Sequence, residues 1–129
     1  MSITVEALGE ARFSASTRGH SVFCDLSPES GGGDTGMTPT ELFLSALGCC
    51  VGLYIVRFCD RRGIPTKGMK IQVSREGAQN PSRIGRILFE VEMPSPVPEE
   101  RREEIIAVAK RCYLHNTLNN PPEMNVLLK

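Results

Sequence analysis

The fold is decided by one segment, Thr38–Arg62, which reads TPTELFLSALGCCVGLYIVRFCDRR. Its first residues are a helix start: Thr38 is a hydroxyl N-cap, Pro39 suits the first helical position, and Glu41 completes a capping box. The residues that follow are apolar around most of the helix circumference, and Gly63 ends the pattern. A helix without a polar face needs cover on every side, so the segment is predicted to be a central helix.

The apolar part of this segment is too short to be predicted as a membrane span. Its longest uncharged run, Leu42–Val56, falls below the ~20 residues that cross a bilayer. The N-terminus, MSITVEALGE, alternates polar and apolar residues and lacks the apolar stretch of a cleavable signal. We therefore expect a cytoplasmic protein with no membrane association.

Charge and cysteine content narrow the function further. Lys plus Arg and Asp plus Glu both total 15, so no basic excess indicates a nucleic-acid partner. An odd number of cysteines without a signal peptide does not indicate a disulfide framework. A reducing compartment, with two thiols available for chemistry, fits better. The five cysteines are Cys24, Cys49, Cys50, Cys59 and Cys112.

The sequence on both sides of the helix predicts antiparallel strands. Apolar residues alternate in the first 27 positions, with a turn at Ser16–Gly19, and two further strands read MKIQVSRE and RIGRILFEVEM after the helix. Ser27–Pro39 is rich in Gly, Ser and Pro and is predicted to be a mobile loop. The fold class is therefore α+β, with antiparallel sheets around a central apolar helix in a single domain over residues 1–129.

The C-terminal third predicts an amphipathic helix and a last strand. EERREEIIAVAKRCYL has acids in its first turn and an apolar stripe at helical spacing, which runs from Ile105 to Cys112. Cys112 is thus expected to end the buried face of this helix, and EMNVLLK to form a short strand.

Two of the cysteines, Cys50 and Cys112, are predicted to lie where the central helix and the C-terminal helix meet in the core. Cys50 and Cys112 each lie on an apolar helix face and could come within disulfide range, although a small buried hydrophobe is the ordinary role of cysteine. Zinc is the competing interpretation, because Cys112 and His115 form a C-x₂-H half site. The usual C-x₂-C partner is missing and adjacent Cys49 and Cys50 cannot easily share one zinc, so we predict no metal.

The motifs as a whole resemble those of the OsmC/Ohr family (osmotically inducible protein C and organic hydroperoxide resistance protein). The resemblance rests on GGGDTGMTPTELFLSALGCC, RRGIPTKGMKIQV and AKRCYLHNTLNNPPEMNVLL, and it spans essentially the whole chain. It implies an intertwined homodimer and a thiol-dependent peroxidase for organic hydroperoxides that needs no cofactor. The family's helix cysteine falls on Cys50 and its second cysteine on Cys112.

The resemblance also implies the chemical roles. Cys50 would attack the peroxide and become a sulfenic acid, Cys112 would resolve it as a disulfide, and an external dithiol of lipoyl or other type would reduce that disulfide. A strand arginine held by a glutamate would activate the thiol. Arg12 and Arg18 are both available, and we favour Arg18 because its turn allows movement. Glu41 is the candidate glutamate, although the organic-hydroperoxide branch places it one position earlier, at Thr40.

Apolar neighbours of Cys50 at helical spacing favour an apolar organic hydroperoxide over a charged one, and hydrogen peroxide stays an open alternative. The candidate substrate-binding residues are Phe43, Leu47, Leu53 and Tyr54. Because Thr40 replaces the glutamate, a second function stays open: an OsmC-like protein that binds a ligand or senses redox state without turnover.

Overall fold

The structure is a computed structural model that describes residues 1–129. Its backbone contacts divide the chain into two compact units, Met1–Ser45 and Ala46–Lys129. The single domain over residues 1–129 stays a prediction. Each unit contains one antiparallel sheet, and helix α1, Pro39–Asp60, runs from the first unit into the second. The predicted α+β class with antiparallel sheets and a central helix is confirmed.

The first unit is a three-stranded antiparallel sheet in the order β1-β2-β3. Its strands are β1 (Thr4–Gly9), β2 (Arg12–Thr17) and β3 (His20–Cys24). The register aligns Val5 with Ala15 and Ala15 with Val22, so apolar side chains share one face, as the period-2 alternation predicts. This face and the start of α1 enclose an apolar cavity of about 410 Å³.

The predicted mobile loop is organised around one carboxylate. Asp25 is 1% exposed, and its oxygens accept hydrogen bonds from the amides of Leu26, Gly33 and Thr35 and from the Thr35 hydroxyl at 2.6 Å. The loop also contains a 3₁₀ helix, Pro28–Ser30. The Gly, Ser and Pro content of the loop predicts mobility because these residues do not form regular helices or strands. The structure instead shows that the buried Asp25 carboxylate accepts hydrogen bonds from the loop's amides and from the Thr35 hydroxyl, which holds the loop in one conformation.

Helix α1 begins with the predicted capping box. The Thr38 amide donates to Glu41 Oε1 at 3.0 Å, and the Glu41 amide donates to Thr38 Oγ1 at 3.1 Å. The helix is 22 residues long, longer than the uncharged run indicates, and its length and composition alone would allow it to cross a membrane. The core helix of a globular protein passes the same test, and the absence of membrane association stays a prediction.

The second unit packs the remainder of α1 on a two-stranded antiparallel sheet. Its elements are β4 (Lys70–Ala78), β5 (Arg83–Glu92), α2 (Glu99–Ala109) and α3 (Tyr113–Asn119). Gly48 and Gly52 of α1 lie against the sheet so closely that a Cβ on Gly48 would be 2.9 Å from Val73 Cγ2, and one on Gly52 would be 3.1 Å from Ile71 Cδ1. Glycine at these two positions therefore allows the helix to approach β4.

Two expectations for the C-terminal third are wrong. Cys112 does not end the buried face of α2, because that helix ends at Ala109 and Cys112 is the extended N-cap residue of α3. The tail that was predicted as a last strand forms no regular structure, since no sheet edge within the chain pairs with it. Its apolar side chains at Met124, Val126, Leu127 and Leu128 are 85–100% exposed.

The buried carboxylate predicts an acid-dependent stability. The Thr35 hydroxyl, followed by the Leu26 amide, lowers the pKa of Asp25 from 3.8 to about 2. A carboxyl with a lowered folded-state pKa contributes stability above its unfolded value, and this stability is lost as pH falls from about 4 to about 2.

We therefore expect Asp25→Asn to unfold at lower urea concentration than the parent at pH 7, and the difference between them to shrink as pH falls from 4 to 2. Urea titrations followed by circular dichroism at pH 7, 4 and 2 measure this. Asp34→Asn is the control, because Asp34 is exposed in the same loop and its positive φ of 55° suits asparagine. If the midpoint urea concentrations of the parent and of Asp25→Asn differed by the same amount at all three pH values, the role of Asp25 would be contradicted.

Candidate functional site

The structure brings Cys50 and Cys112 together. Cys112 belongs to the buried cluster of the second unit, with Val51, Ile55, Cys59 and Ile105, and Cys50 packs against this cluster. The two side chains are close enough that Cys50 affects the ionisation of Cys112. Both cysteines are free thiols. The two motifs, far apart in sequence, therefore meet at one place.

The Cys112 thiol is held at the N-terminus of α3. It is 0% exposed, and its Sγ accepts a hydrogen bond from the His115 amide at 3.3 Å. Burial raises the pKa of the Cys112 thiol, the His115 amide opposes this, and the interaction with Cys50 raises it further. Cys112 is thus a protonated, enclosed thiol at neutral pH.

Cys50 differs from Cys112 in its exposure. It lies in α1 and is half-buried. An oxidant that approaches from solvent meets Cys50 first, because Cys112 lies in the core. The pair therefore has one accessible sulfur and one enclosed sulfur, which suits an attacking and a resolving role respectively.

The remaining cysteines do not join this pair. Cys59 is 0% exposed in the same buried cluster, and burial, followed by the charge of Asp60, raises its pKa. Cys49 is exposed on α1, and Cys24 is half-buried at the end of β3. No group of three or more His, Cys, Asp or Glu residues is arranged to hold a metal ion.

The two candidate arginines occupy different environments within the first unit. Arg12 is half-buried, its Cζ is 5.7 Å from the Phe23 ring centroid, and its Nε is buried without a hydrogen-bond partner. Arg18 is exposed in the β2–β3 turn with a φ of 52°. The role predicted for Arg18 is not tested, and Arg12 is the arginine with an unsatisfied buried nitrogen.

Glu41 is engaged in the capping box of α1. The hydrogen bonds from Thr38 lower the pKa of its carboxyl. Nine residues of straight helix span ~13 Å, so Glu41 could help Cys50 only if the helix broke between them or if the glutamate came from a partner chain. Helix α1 is unbroken between the two residues, which leaves the second route. Thr40, the position of the family's glutamate, is half-buried in the first turn. A catalytic role for Glu41 stays a prediction.

The four candidate substrate-binding residues differ in exposure. Leu47 is only 2% exposed and is a core side chain, whereas Phe43 and Leu53 are 41% and 46% exposed. Tyr54 is half-buried and packs against the cluster that contains Cys112. Contact with substrate stays a prediction for these residues, with Leu47 the least accessible of the four.

One functional contact was missed from sequence. The C-x₂-H spacing suggested a metal half site, but it places the amide of His115, and not its ring, on the Cys112 sulfur. The spacing between an N-cap residue and the third helical amide is the signal that identifies this contact. This signal can be used only if the start of a new helix after Cys112 is already known.

These features define a mixed α+β fold with a thiol pair in the second unit, and comparisons with known proteins identify the family. Residues 31–126 match the family model described as OsmC-like protein. The chain therefore belongs to the OsmC-like protein family, and the resemblance seen in the sequence is confirmed. A search of the curated proteins gives no match.

Solved structures share the fold at low sequence identity. A protein from Psychrobacter arcticus 273-4, described as a candidate osmotic stress induced and detoxification response protein, gives a TM-score of 0.84 at 18% identity over 91% of this chain and 87% of that one. An OsmC-like protein from Mycoplasma pneumoniae gives 0.77 at 24% identity over 93% and 87%. An organic hydroperoxide resistance protein from Legionella pneumophila gives 0.69 at 15% identity over 92% and 89%.

The difference in exposure predicts an order of alkylation. In reduced protein that carries Cys49→Ser, we expect iodoacetamide at pH 7.5 to modify Cys50 at least ten times faster than Cys112, because burial both encloses Cys112 and raises its pKa. Peptide mass spectrometry over time measures the two rates, with buried Cys59 as an internal reference. Equal rates for Cys50 and Cys112 in the folded protein would contradict the asymmetry of the pair.

Proposed function

We propose that this protein is a thiol-dependent peroxidase that reduces organic hydroperoxides. The observation that carries the proposal is the apposition of a half-buried thiol, Cys50, and a fully buried thiol, Cys112, in one core cluster. Membership of the OsmC-like family supports it, as does the fold shared with structures described as organic hydroperoxide resistance proteins.

The reaction begins at Cys50. Its thiolate attacks the terminal oxygen of the hydroperoxide, the O–O bond breaks, and the departing alkoxide takes up a proton and leaves as an alcohol. Cys50 is then a sulfenic acid, oxidised by two electrons. Because Cys50 is partly accessible, the peroxide reaches this sulfur without opening the core.

Cys112 completes the cycle from inside the core. Its sulfur attacks the Cys50 sulfenic acid, the S–O bond breaks, and the proton released from the Cys112 thiol joins the departing hydroxide as water. The His115 amide stabilises negative charge on the Cys112 sulfur during this step. An external dithiol then reduces the disulfide by two thiol exchanges and is itself oxidised to a disulfide.

The surroundings support an apolar substrate. Phe43 and Leu53, on α1, are large and partly exposed, and Tyr54 packs against the thiol cluster. Apolar side chains favour an alkyl or aryl hydroperoxide because its organic group gains from burial.

Trapping experiments test the two thiol roles. We expect the parent protein to consume cumene hydroperoxide in the presence of dihydrolipoamide, and Cys50→Ser to lose this activity and all labelling by dimedone. Cys112→Ser is expected to retain a dimedone-reactive Cys50 that over-oxidises, because the resolving thiol is absent.

Exposed Cys49→Ser is the control and is expected to keep its turnover. Failure of the parent to turn over peroxide with both thiols reduced would overturn the peroxidase and favour the ligand-binding or redox-sensing alternative. Dimedone labelling of Cys112 in the Cys50→Ser protein would reverse the roles.

Arg12 is the better candidate for the activating cation. A half-buried thiol such as Cys50 needs a compensating charge or donor to ionise, and the Arg12 Nε has no hydrogen-bond partner. We expect Arg12→Gln to slow alkylation of Cys50 at pH 7.5 and to move its pH profile alkaline, while Arg18→Gln, the matched control, has little effect. The reverse result would restore the assignment to Arg18 that was favoured from sequence.

The chain is proposed to act as a homodimer. Helix α1 is apolar around most of its circumference and needs more cover than a single chain of this length readily supplies. Many of the exposed side chains are apolar, including Phe43 and Leu53 on α1 and Val126 and Leu128 in the tail.

Light scattering tests the assembly. We expect a particle of twice 14.2 kDa at micromolar concentration, and we expect Val126→Asp with Leu128→Asp to weaken it, because charges would replace apolar surface that the partner covers. Asn125→Asp, which adds charge at an already polar tail residue, is the control. A monomer in the parent protein would contradict the proposal.

A further inference from the structure

The second unit contains an apolar cavity that the thiol chemistry does not use. It lies between α1, β5, α2 and α3 and has a volume of about 300 Å³. This volume is at the lower end of the range of ~300–1,000 Å³ that is usual for small-molecule sites. Neither Cys50 nor any of the four candidate substrate-binding residues lines it. The cavity is therefore distinct from the surface through which Cys50 is reached.

The lining is apolar except for two basic residues. Val51, Ile55, Phe89 and Ile105 are among the apolar side chains, and Lys110 and His115 are the polar members. No acidic residue lines the cavity, and Lys110 forms no ion pair.

Two acidic residues of α2 are already engaged in ion pairs. The carboxylate of Glu104 on α2 lies 3.0 Å from Arg101 and 3.9 Å from Arg62, and that of Glu99 lies 3.8 Å from Arg102. Lys110 is exposed and His115 is half-buried, so a negative group could reach them from solvent. The electrostatic environment is therefore that of a site for an anion attached to an apolar group.

We propose that this cavity binds a medium-length, unbranched alkyl chain that ends in a carboxylate, as in a medium-chain fatty acid. The alkyl chain fills the apolar interior and the carboxylate pairs with Lys110, with His115 as a second donor. A methylene group is close in size to a water molecule, which occupies about 30 Å³ in the liquid, so the cavity holds roughly ten carbon atoms. Leu88 and Ile106, which are 43% and 56% exposed, flank the entrance.

The site contacts the thiol pair in two ways. Val51, Ile55 and Ile105 line the cavity and also belong to the cluster that contains Cys112. His115 lines the cavity as well, and its amide donates a hydrogen bond to Cys112 Sγ, so the anion-binding end lies near the proposed resolving thiol. Binding is nevertheless a property of the reduced protein and requires no turnover.

Calorimetry with decanoate tests the proposal. We expect reduced parent protein to bind decanoate, and Lys110→Gln to weaken decanoate binding about tenfold while leaving uncharged decanol unaffected. Arg111→Gln is the matched control, because Arg111 is an exposed neighbouring base that does not line the cavity. Equal decanoate affinity in the parent and in Lys110→Gln would overturn the anion contact.

Cavity-filling variants locate the alkyl chain. Ala109→Leu places a larger side chain in the lining and is expected to abolish binding of both probes, whereas Ala107→Leu, on the exposed side of α2, leaves it intact. Leu88→Gln provides a second test at a partly exposed lining residue, where folding is less at risk, with exposed Glu90→Gln as its control. We expect Leu88→Gln to weaken the binding of both decanoate and decanol.

Three outcomes would overturn the site. The first is that the parent protein does not bind decanoate. The second is that Ala109→Leu and Leu88→Gln bind decanoate as the parent does. The third is that the parent does not bind decanoate and that these variants change the particle mass measured by light scattering. The last result would mean that a second copy of the chain occupies the cavity.

Discussion

The close packing of α1 on β4 is the constraint on which the second unit depends. Gly48 and Gly52 leave no side chain between the helix and Val73 and Ile71 of the strand. Glycine in a helix interior costs about 1 kcal/mol relative to alanine, so its presence at both positions indicates that close approach contributes more than helix propensity. Cys50 lies between these two glycines in sequence. The same packing that builds the core therefore fixes the position of Cys50, the proposed attacking thiol.

The second half of the thiol pair depends on a helix end. Cys112 lies after the end of α2 and caps α3, so its sulfur is both buried in the cluster and hydrogen-bonded by a helical amide. An N-terminal amide stabilises negative sulfur without the mobility of a charged side chain. The fold thus supplies an enclosed thiol with a fixed donor, as the resolving role proposed for Cys112 requires, while the exposure of Cys50 suits its proposed attack on the peroxide.

The sequence predicted the features that local chemistry decides. The capping box at Thr38 and Glu41 and the strand alternation follow from residue type and spacing. Spacing alone left the meeting of Cys50 and Cys112 as one possibility, and the resemblance to the OsmC/Ohr family implied it. It did not predict that α2 ends at Ala109, before Cys112. The apolar stripe of this helix keeps its helical spacing as far as Cys112, and neither glycine nor proline marks the end of the helix. The prediction of a strand in the tail was wrong for another reason. Val126 and Leu128 are residue types that favour strands, but a strand also needs a neighbouring sheet edge to pair with, and the residue pattern does not show whether such an edge exists.

The central claim is that Cys50 and Cys112 form one redox pair. Its most direct test is peptide mapping, without reduction, of protein treated with one equivalent of cumene hydroperoxide in the absence of any dithiol. We expect a single new species in which the peptide of Cys50 is linked to that of Cys112, with Cys59 unmodified. A Cys49–Cys50 disulfide, or a sulfinic acid on Cys50 with Cys112 still free, would contradict it.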